Sequence, residues 1–486
     1  MCFEMKSFIS SLVLIISIQI NVSATPLLAA SISNYPLKYV YAFRCFGDSL
    51  IFIDSLKTDE KGKFNFAQFS SKGIYRFNLP SNQWFYVLST GSAATLGKEA
   101  GRQVEENIEI KTVYRFDMFN NLASDSLEVI KSDENKLFYK FQRAQKQATV
   151  ANFVLKEMIR LYPLQDPFHK VIENEYFERY KAMDELLKES SHSPSAQLII
   201  NAYYQPMNPD WKGPDDWRDS VIATHYFDYF HPSENGEFYM NTSILPEKID
   251  NYFDLFSFLM RVNRETNTDY EKKIKNAADE FLKHTQADHS VHEFCLKYIL
   301  KKLDKRKMYD AMFSVYDKWV YQAVSGDCSQ TYPSLNQWRE KISVLRNVQI
   351  GNAAPDFEVV SGKMNMYQIP ADYTLLVFWA SWCPHCTLEI PKIKKAVEDF
   401  QNSHKEKSVI TLFISLDNDE KAWKDFVEKN SLGSNIHLCD LKGWQGRIVR
   451  QYNVFATPSM FLLNKDKKII NKPESEEQLN FVLSKQ

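Results

Sequence analysis

A short apolar run followed at once by two closely spaced cysteines constrains this chain more than any other feature. Residues 375–379 are typical of a buried strand, and a helical pattern begins directly afterwards with Cys383-Pro384-His385-Cys386. This order places Cys383 at a helix N-terminus, where unpaired backbone N–H groups and the helix dipole favour a thiolate. Pro384 suits a first helical turn, since its missing N–H would have no partner there. One helical turn separates the two cysteines, which allows them to close a small disulfide ring.

Two cysteines at this spacing also form half of a zinc site, so metal binding is the first alternative. A structural zinc ion needs a second pair of ligands, and no other C-x-x-C or C-x-x-H occurs in the chain. The preceding strand, the adjacent Trp382 and the downstream Ala456-Thr457-Pro458 favour a redox dithiol. We therefore predict disulfide exchange at this site, without a metal ion or another cofactor.

The chain is too long for one ordinary domain, and its length of 486 residues predicts about three. We assign residues 1–24 to a signal peptide, 34–131 to an antiparallel β-sandwich, 132–345 to an α-helical region and 346–486 to an α/β domain. The formal net charge is -2, with acidic and basic residues interspersed. This balance gives no reason to expect nucleic acid or an anionic membrane surface as a partner.

Strand and helix patterns alternate in the last segment. Apolar runs predict strands over residues 375–379, 409–416, 436–438, 460–463 and 468–471. Helical patterns separate the first four, the last two form a hairpin, and another helix closes the chain. Strands that alternate with helices before a hairpin make a layered α/β sheet, and this order is that of the thioredoxin fold.

The same segment resembles the TlpA/ResA-like family of exported thiol:disulfide oxidoreductases. The motifs that carry the resemblance are Ala354-Pro355-Asp356-Phe357, Phe378 to Cys386, Glu389 with Pro391, and Ala456-Thr457-Pro458. The resemblance implies that Cys383 is the attacking thiol and Cys386 the buried resolving thiol. It also implies that Thr457-Pro458 is a cis-proline loop that faces the disulfide and pairs with the substrate backbone. Together with this loop, Trp382, Pro384 and His385 are predicted to contact the substrate.

Glu389 follows the second cysteine by one helical turn and matches the active-site carboxylate of that family. Thioredoxin itself carries a buried aspartate six positions before its first cysteine, whereas this chain has Val377 there. We therefore predict that Glu389 handles the proton of Cys386. The alternative is that Glu389 is an ordinary solvated residue on a helix surface.

Thiolate chemistry allows the dithiol to work in either direction. Pro384-His385 is the dipeptide of DsbA, and a histidine near the thiolate would stabilise it and favour an oxidising potential. The surrounding motifs resemble family members that mostly reduce their substrates. We therefore predict a reductase of protein disulfides that receives electrons from a membrane or periplasmic donor.

A thiol peroxidase and an envelope binding protein are two alternatives to a reductase. A thiol peroxidase is excluded, because its Pro-x-x-x-Thr-x-x-Cys motif would need proline and threonine where Leu376 and Ala380 stand. The remaining alternative is an envelope binding protein, in which the large N-terminal portion recognises a partner and the last domain is a redox-sensitive module.

The N-terminal residues are typical of a secretory signal peptide. Lys6 supplies positive charge, residues 8–20 form an apolar core, and Val22-Ser23-Ala24 has the small residues of a cleavage site. The apolar core of 13 residues is shorter than the about 20 that span a bilayer as a helix. We predict export to the periplasm or cell envelope, with membrane anchoring only if the signal stays uncleaved.

Short alternating runs, separated by clusters of Gly, Asn, Asp and Ser, predict antiparallel strands over residues 34–131. This segment resembles the β-sandwich domain found ahead of exported thioredoxin-like domains in Gram-negative bacteria. The matching residues are Ile53-Asp54-Ser55, Gly62 to Phe66 and Gly73-Ile74-Tyr75. The resemblance carries no catalytic residue.

The pattern changes to a helical period over residues 132–345. Two predicted helices, over residues 292–303 and 307–324, would form a hairpin that brings Cys295 towards Cys328. This pair is either a structural disulfide or two buried free thiols. Two further cysteines, Cys45 and Cys439, are expected in the packed core.

Three histidines of the helical region are close in sequence: His284, His289 and His292. Their spacing does not place two of them four residues apart on one helix face, as metal ligands would require. We expect them on the solvated surface.

Overall fold

The computed structural model describes residues 28–91, 107–115, 126–162, 165–204, 222–263, 267–321, 333–360 and 362–486. The predicted signal peptide and Cys328 lie outside these ranges. The chain forms two compact units, Met1–Val315 and Tyr316–Gln486. Each unit is described separately below.

Eight strands open the described part of the first unit: β1 (Leu28–Ser33), β2 (Tyr39–Phe46), β3 (Ser49–Lys57), β4 (Lys63–Phe66), β5 (Lys72–Leu79), β6 (Gln83–Thr90), β7 (Ile108–Val113) and β8 (Glu128–Lys131). They form two four-stranded sheets with the orders β4-β1-β7-β8 and β3-β2-β5-β6. Phe66 of β4 packs edge-to-face on Phe77 of β5, with ring centroids 5.2 Å apart. The two sheets therefore share an aromatic core.

One strand pairing differs from the antiparallel arrangement predicted for this region. β1 runs parallel to β7, whereas the other pairings of the two sheets are antiparallel. The chain between β1 and β7 is long enough to bring β7 back in the direction of β1. Alternation of apolar and polar residues does not encode strand direction, so the sequence pattern could not reveal this pairing. The first strand also begins at Leu28, before the predicted start of the domain at residue 34.

Helices follow the strands in the first unit: α1 (Asp133–Leu161), α2 (Pro167–Glu189), α3 (Pro194–Tyr203), α4 (Gly236–Met240), α5 (Ile244–Asn263), α6 (Asn267–Lys283), α7 (His289–Lys305) and α8 (Tyr309–Tyr316). Ser132 caps α1 by accepting a hydrogen bond from the backbone N–H of Asn135. The side chain of Asn135 accepts from the N–H of Leu88 at 2.8 Å and donates to its carbonyl at 2.9 Å. Asn135 thus ties the start of α1 to β6.

Helix α7 carries two side chains whose environment was predicted. Cys295 is fully buried with a free thiol, which agrees with the alternative of two buried free thiols, while Cys328 is not among the described residues. His292 is buried, and its Nδ1 lies 2.8 Å from the hydroxyl of Thr285. The expectation of a solvated His292 is therefore wrong, whereas His284 and His289 are exposed. Position 292 lies on the same side of α7 as Cys295, which sequence spacing would have indicated.

The second unit contains α9 (Asn336–Asn347), β9 (Glu358–Val360), β10 (Met364–Asn365), β11 (Tyr373–Trp379), α10 (Pro384–Ser403), β12 (Val409–Ser415), α11 (Glu420–Lys429), β13 (Ile436–Cys439), α12 (Arg447–Gln451), β14 (Ser459–Leu463), β15 (Ile469–Asn471) and α13 (Glu476–Leu483). Its five-stranded sheet has the order β13-β12-β11-β14-β15. β11 runs parallel to β12 and antiparallel to β14. The predicted order of strands and helices is confirmed, and the unit has the thioredoxin fold.

The central strand β11 positions the paired cysteines. Residues 375–379 are each 0% exposed, because β11 lies between neighbouring strands on both sides and under helices on both faces. Helix α10 begins five residues after the end of this strand and continues through Pro391. Among the described residues, no helix is both long enough and apolar enough to cross a membrane.

Candidate active site

Cys383 caps the helix that carries its partner. It is the N-cap residue of α10, and its Sγ accepts a hydrogen bond from the backbone N–H of Cys386 at 3.4 Å. Such a position offers the sulfur the partial positive charge of the first helical turn. The prediction that Cys383 lies at a helix N-terminus is confirmed.

The two thiols differ in their acidity. Burial raises the pKa of Cys383, but hydrogen bonds outweigh it, so that the net pKa lies below that of an ordinary cysteine. These hydrogen bonds come from the side chains of Thr457 and Cys386 and from the backbone N–H groups of Cys386 and His385. Burial raises the pKa of Cys386 to about 12, and its hydrogen bond to Cys383 adds to this rise. The arrangement therefore makes Cys383 the sulfur that loses its proton more readily, and Cys386 the one that stays a thiol.

The Thr457-Pro458 peptide bond is cis. In its thiol form, Cys383 donates a hydrogen bond from Sγ to the carbonyl oxygen of Thr457, at 3.4 Å. This loop directly precedes β14, whose first residue, Ser459, pairs with Phe378 at the end of β11. The sheet thus holds the cis-proline loop beside the reactive sulfur, as the sequence predicted.

Glu389 faces the interior rather than the solvent. It is 9% exposed, so the alternative of an ordinary solvated helix residue is wrong. Its Oε1 forms an ion pair with Nζ of Lys392 at 2.9 Å, whereas its buried Oε2 has no hydrogen-bond partner among the described residues. A separation of three residues places Glu389 and Cys386 on the same side of α10.

Exposed apolar side chains lie next to the active-site motifs. Trp382 precedes Cys383, is 52% exposed and lies 6.3 Å from the ring of Trp444, centroid to centroid. Phe455, three residues before Pro458, is 70% exposed. Pro384 and His385 are exposed as well. Trp382 was predicted from its motif, whereas Trp444, in the 3₁₀ turn Gly443–Gln445, and Phe455, in a loop, belong to no recognisable motif.

A buried carboxylate behind the active-site loop was also missed. Asp417 follows β12 and accepts hydrogen bonds from Ser381, the residue two positions before Cys383. The signal that could have identified it is its position, since the carboxyl ends of parallel strands meet at one edge of a sheet. In the described part of the chain, no three His, Cys, Asp or Glu side chains are grouped as metal ligands would be.

Comparison with known proteins agrees with this geometry. Residues 350–472 match the model of the AhpC/TSA family. The thiol-disulfide oxidoreductase ResA of Bacillus thuringiensis subsp. konkukian is 31% identical over 144 residues, which cover 28% of this chain and 79% of ResA. The chain belongs to the ResA family of thiol-disulfide oxidoreductases. Residues 350–472 contain every site residue described above.

Two further comparisons are with a curated protein and with a solved structure. The sporulation thiol-disulfide oxidoreductase A of Bacillus subtilis is 34% identical over 99 residues, which cover 20% of this chain and 55% of that protein. A crystal structure of a thioredoxin-like protein from Bacteroides caccae covers 58% of this chain and 97% of its own, with 21% identity and a TM-score of 0.36.

Proposed function

We propose that this oxidoreductase reduces protein disulfides in the cell envelope, with Cys383 as the attacking thiolate and Cys386 as the resolving thiol. The observation that carries the proposal is the placement of the two sulfurs: Cys383 caps α10 and its Sγ accepts the backbone N–H of Cys386, whereas Cys386 is fully buried. The pKa directions agree with this placement, lowered at Cys383 and raised to about 12 at Cys386. A thiolate, not a thiol, is the nucleophile in disulfide exchange. Cys383 therefore attacks the substrate first, and Cys386 attacks only in the second exchange.

The reaction proceeds in two exchanges. Sγ of Cys383 attacks one sulfur of a substrate disulfide, the substrate S–S bond breaks, and its second sulfur leaves as a thiolate that takes a proton. Cys386 then loses its proton and attacks Sγ of Cys383, which releases the first substrate sulfur and forms the Cys383–Cys386 disulfide. Two electrons pass from the enzyme to the substrate. An external dithiol donor must return two electrons before the next cycle.

The second exchange requires a base, because Cys386 is protonated near neutral pH. Glu389 is on the same side of α10, and its Oε2 is buried without a partner among the described residues. A buried carboxylate oxygen without a hydrogen-bond partner is unfavourable. Accepting the proton of Cys386 would relieve that cost. We assign to Glu389 the role of proton acceptor for Cys386.

The exposed rings next to Cys383 favour a polypeptide substrate. Trp382, Trp444 and Phe455 present apolar surface, and the backbone of the cis-proline loop offers hydrogen-bonding groups to an extended chain. Apolar side chains exposed beside a disulfide in a partly folded protein would bind such a surface. Trp382, Pro384, His385, Thr457 and Pro458 are the residues that we place in contact with the substrate.

The contribution of His385 bears on the direction of transfer. Its backbone N–H lowers the pKa of Cys383, while its imidazole lies on an exposed residue. A strongly oxidising dithiol stabilises its thiolate far more than a reducing one does. His385 stabilises the Cys383 thiolate through its backbone N–H, and this modest stabilisation supports the assignment as a reductase. Location in the envelope is supported by the predicted signal peptide, and the electron donor would be a membrane or periplasmic dithiol protein.

The decisive test is turnover of a protein disulfide. The full chain, supplied with dithiothreitol as electron source, should reduce insulin at catalytic concentration, and a variant with Cys383→Ala should not. The alternative, an envelope binding protein with a redox-sensitive module, predicts one disulfide reduced per protein molecule and no further turnover. Stoichiometric reduction alone would therefore refute the proposed function.

A further inference from the structure

A buried carboxylate outside the thiol pair is bonded to the active-site loop. Asp417 is 1% exposed. Ser381 donates its backbone N–H to the two carboxylate oxygens, at 3.2 Å to Oδ1 and 3.1 Å to Oδ2, and its hydroxyl to Oδ1 at 2.6 Å. The hydroxyl of Ser415 donates to Oδ2 at 2.6 Å. The donors that described residues supply to this carboxylate are all uncharged.

Such a burial is costly unless hydrogen bonds offset it. A carboxylate without a cationic partner must regain its lost hydration from oriented dipoles. Three of the hydrogen bonds to the Asp417 carboxylate come from Ser381 and one comes from the hydroxyl of Ser415, the last residue of β12. The same hydroxyl oxygen accepts from the backbone N–H of Asp417. Most of the hydrogen bonding that stabilises the buried carboxylate therefore comes from Ser381, in the loop between β11 and α10.

We propose that Asp417 is a positioning residue, which holds residues 380–383 so that Sγ of Cys383 stays over the first turn of α10. The backbone N–H of Cys386 donates to that Sγ at 3.4 Å. A displacement of the loop would weaken this hydrogen bond, since hydrogen bonds depend steeply on angle and distance. Asp417 does not touch the substrate or the reacting sulfurs and acts through Ser381. The inference rests on the proposed role of Cys383 as the attacking thiolate.

The hydrogen bonds between Asp417 and Ser381, called the tether below, and the negative charge of Asp417 shift the pKa of Cys383 in opposite directions. A negative charge near a thiolate disfavours it, so loss of the charge alone would lower the pKa of Cys383. Loss of the tether would raise this pKa, because Sγ would lose donors from the helix start. The direction of the change therefore separates the two effects.

The experiment compares four variants of the full reduced chain: Asp417→Ala, Ser381→Ala, Ser381→Thr and, as a matched control, Asp425→Ala on the exposed face of α11. The readout is the pH profile of iodoacetamide alkylation at Cys383, followed by mass spectrometry. With Asp417→Ala we expect the pKa of Cys383 to rise by about half a unit or more, which slows alkylation at a pH below that pKa roughly threefold. Ser381→Ala should shift it in the same direction, whereas Ser381→Thr and Asp425→Ala should match the wild type.

Three results would overturn the inference. The first is a lower pKa in Asp417→Ala, which would assign the effect to charge. The second is an unchanged pKa in Asp417→Ala, which would leave Asp417 without a positioning role, whatever its melting temperature. The third, decisive if Asp417→Ala does not fold, is equal profiles for Ser381→Ala and Ser381→Thr. A wild-type chain that fails to turn over insulin would instead refute the proposed function, whatever the variants show.

Discussion

The sulfur of Cys383 lies 3.4 Å from the carbonyl oxygen of Thr457, the residue that precedes the cis Pro458. This contact joins the active-site helix to a loop 74 residues further along the chain. A substrate disulfide that reaches the sulfur must therefore approach beside this loop. The loop both tunes the sulfur and borders the path to it.

Thr457 offers a test of this tuning. Its side-chain hydrogen bond lowers the pKa of Cys383, so Thr457→Val, which keeps the shape and removes the hydroxyl, should raise that pKa by about one unit. Thr457→Ser should stay close to the wild type. The measurement is the pH profile of thiolate absorbance in the reduced protein. Equal profiles for the valine and serine variants would contradict the assignment.

His385 contributes through its backbone rather than its ring. His385→Pro removes the N–H that lowers the pKa of Cys383, and we expect the pKa to rise by about one unit and the reduction potential to fall. His385→Ala keeps the N–H and should change neither quantity. Equilibration of both variants with glutathione measures the potential. If His385→Ala matches His385→Pro, the imidazole is responsible.

The order of attack can be read from covalent intermediates. Cys386→Ala leaves Cys383 able to attack but unable to be released, so it should accumulate mixed disulfides with substrate proteins. Cys383→Ala leaves only a buried thiol whose pKa is raised to about 12, and it should trap none. Non-reducing electrophoresis with mass spectrometry identifies the trapped species. Comparable trapping by both variants would reject the assigned roles.

Glu389 should affect the second exchange and not the first. Glu389→Gln keeps the shape but removes the proton acceptor, and we expect release of the mixed disulfide to slow by about tenfold or more. Alkylation of Cys383 should keep its rate. Single-turnover kinetics with a disulfide-bonded peptide resolve the two steps. Glu398→Gln, on the exposed side of the same helix, is the control, and an equal slowing in both variants would contradict the proposal.

Buried His292 predicts a loss of stability in acid. Burial lowers its pKa from 6.5 to about 4 in the folded chain, so below pH 6.5 the unfolded chain binds a proton that the folded chain does not. The free energy of unfolding is therefore unaffected by His292 above pH 6.5. It falls by up to about 3 kcal/mol as the pH decreases to the pKa of His292 in the folded chain.

The check is urea unfolding from about pH 7 down to about pH 4. His292→Gln should lose less stability than the wild type over this range. His289→Gln, a change at an exposed neighbour, should follow the wild-type curve. A wild-type curve that is flat between these limits would refute the assignment.

The second unit was predictable to within a few residues, because its strands are fully buried. The run over residues 375–379 is apolar without interruption, and such a run has few alternatives to a central strand. The cysteine pair and the cis-proline loop were recognisable from local motifs. Glu389 was identified by its match to the active-site carboxylate of the family that this segment resembles, although only the structure showed that it is buried.

What the sequence could not reveal depends on contacts between distant segments. The parallel pairing of β1 with β7 is set by chain connectivity, which no local pattern records. Asp417 is adjacent to Ser381 only because β12 pairs with β11. The burial of His292 is a different case, because its spacing from Cys295 on α7 does indicate it. Trp444 is recognisable as a site residue only once folding places its ring beside that of Trp382.

One consequence follows from the position of Cys383 as the cap of α10. While its sulfur is an anion, the helix has a charged end group; once that sulfur enters a disulfide, the charge is gone and the helix loses part of this support. Each catalytic cycle therefore loosens and tightens the same helical turn. For a reductase, the disulfide must more than offset this loss, so the oxidised enzyme should resist heat better than the reduced one. The difference in melting temperature would report the driving force with which the enzyme gives up its electrons.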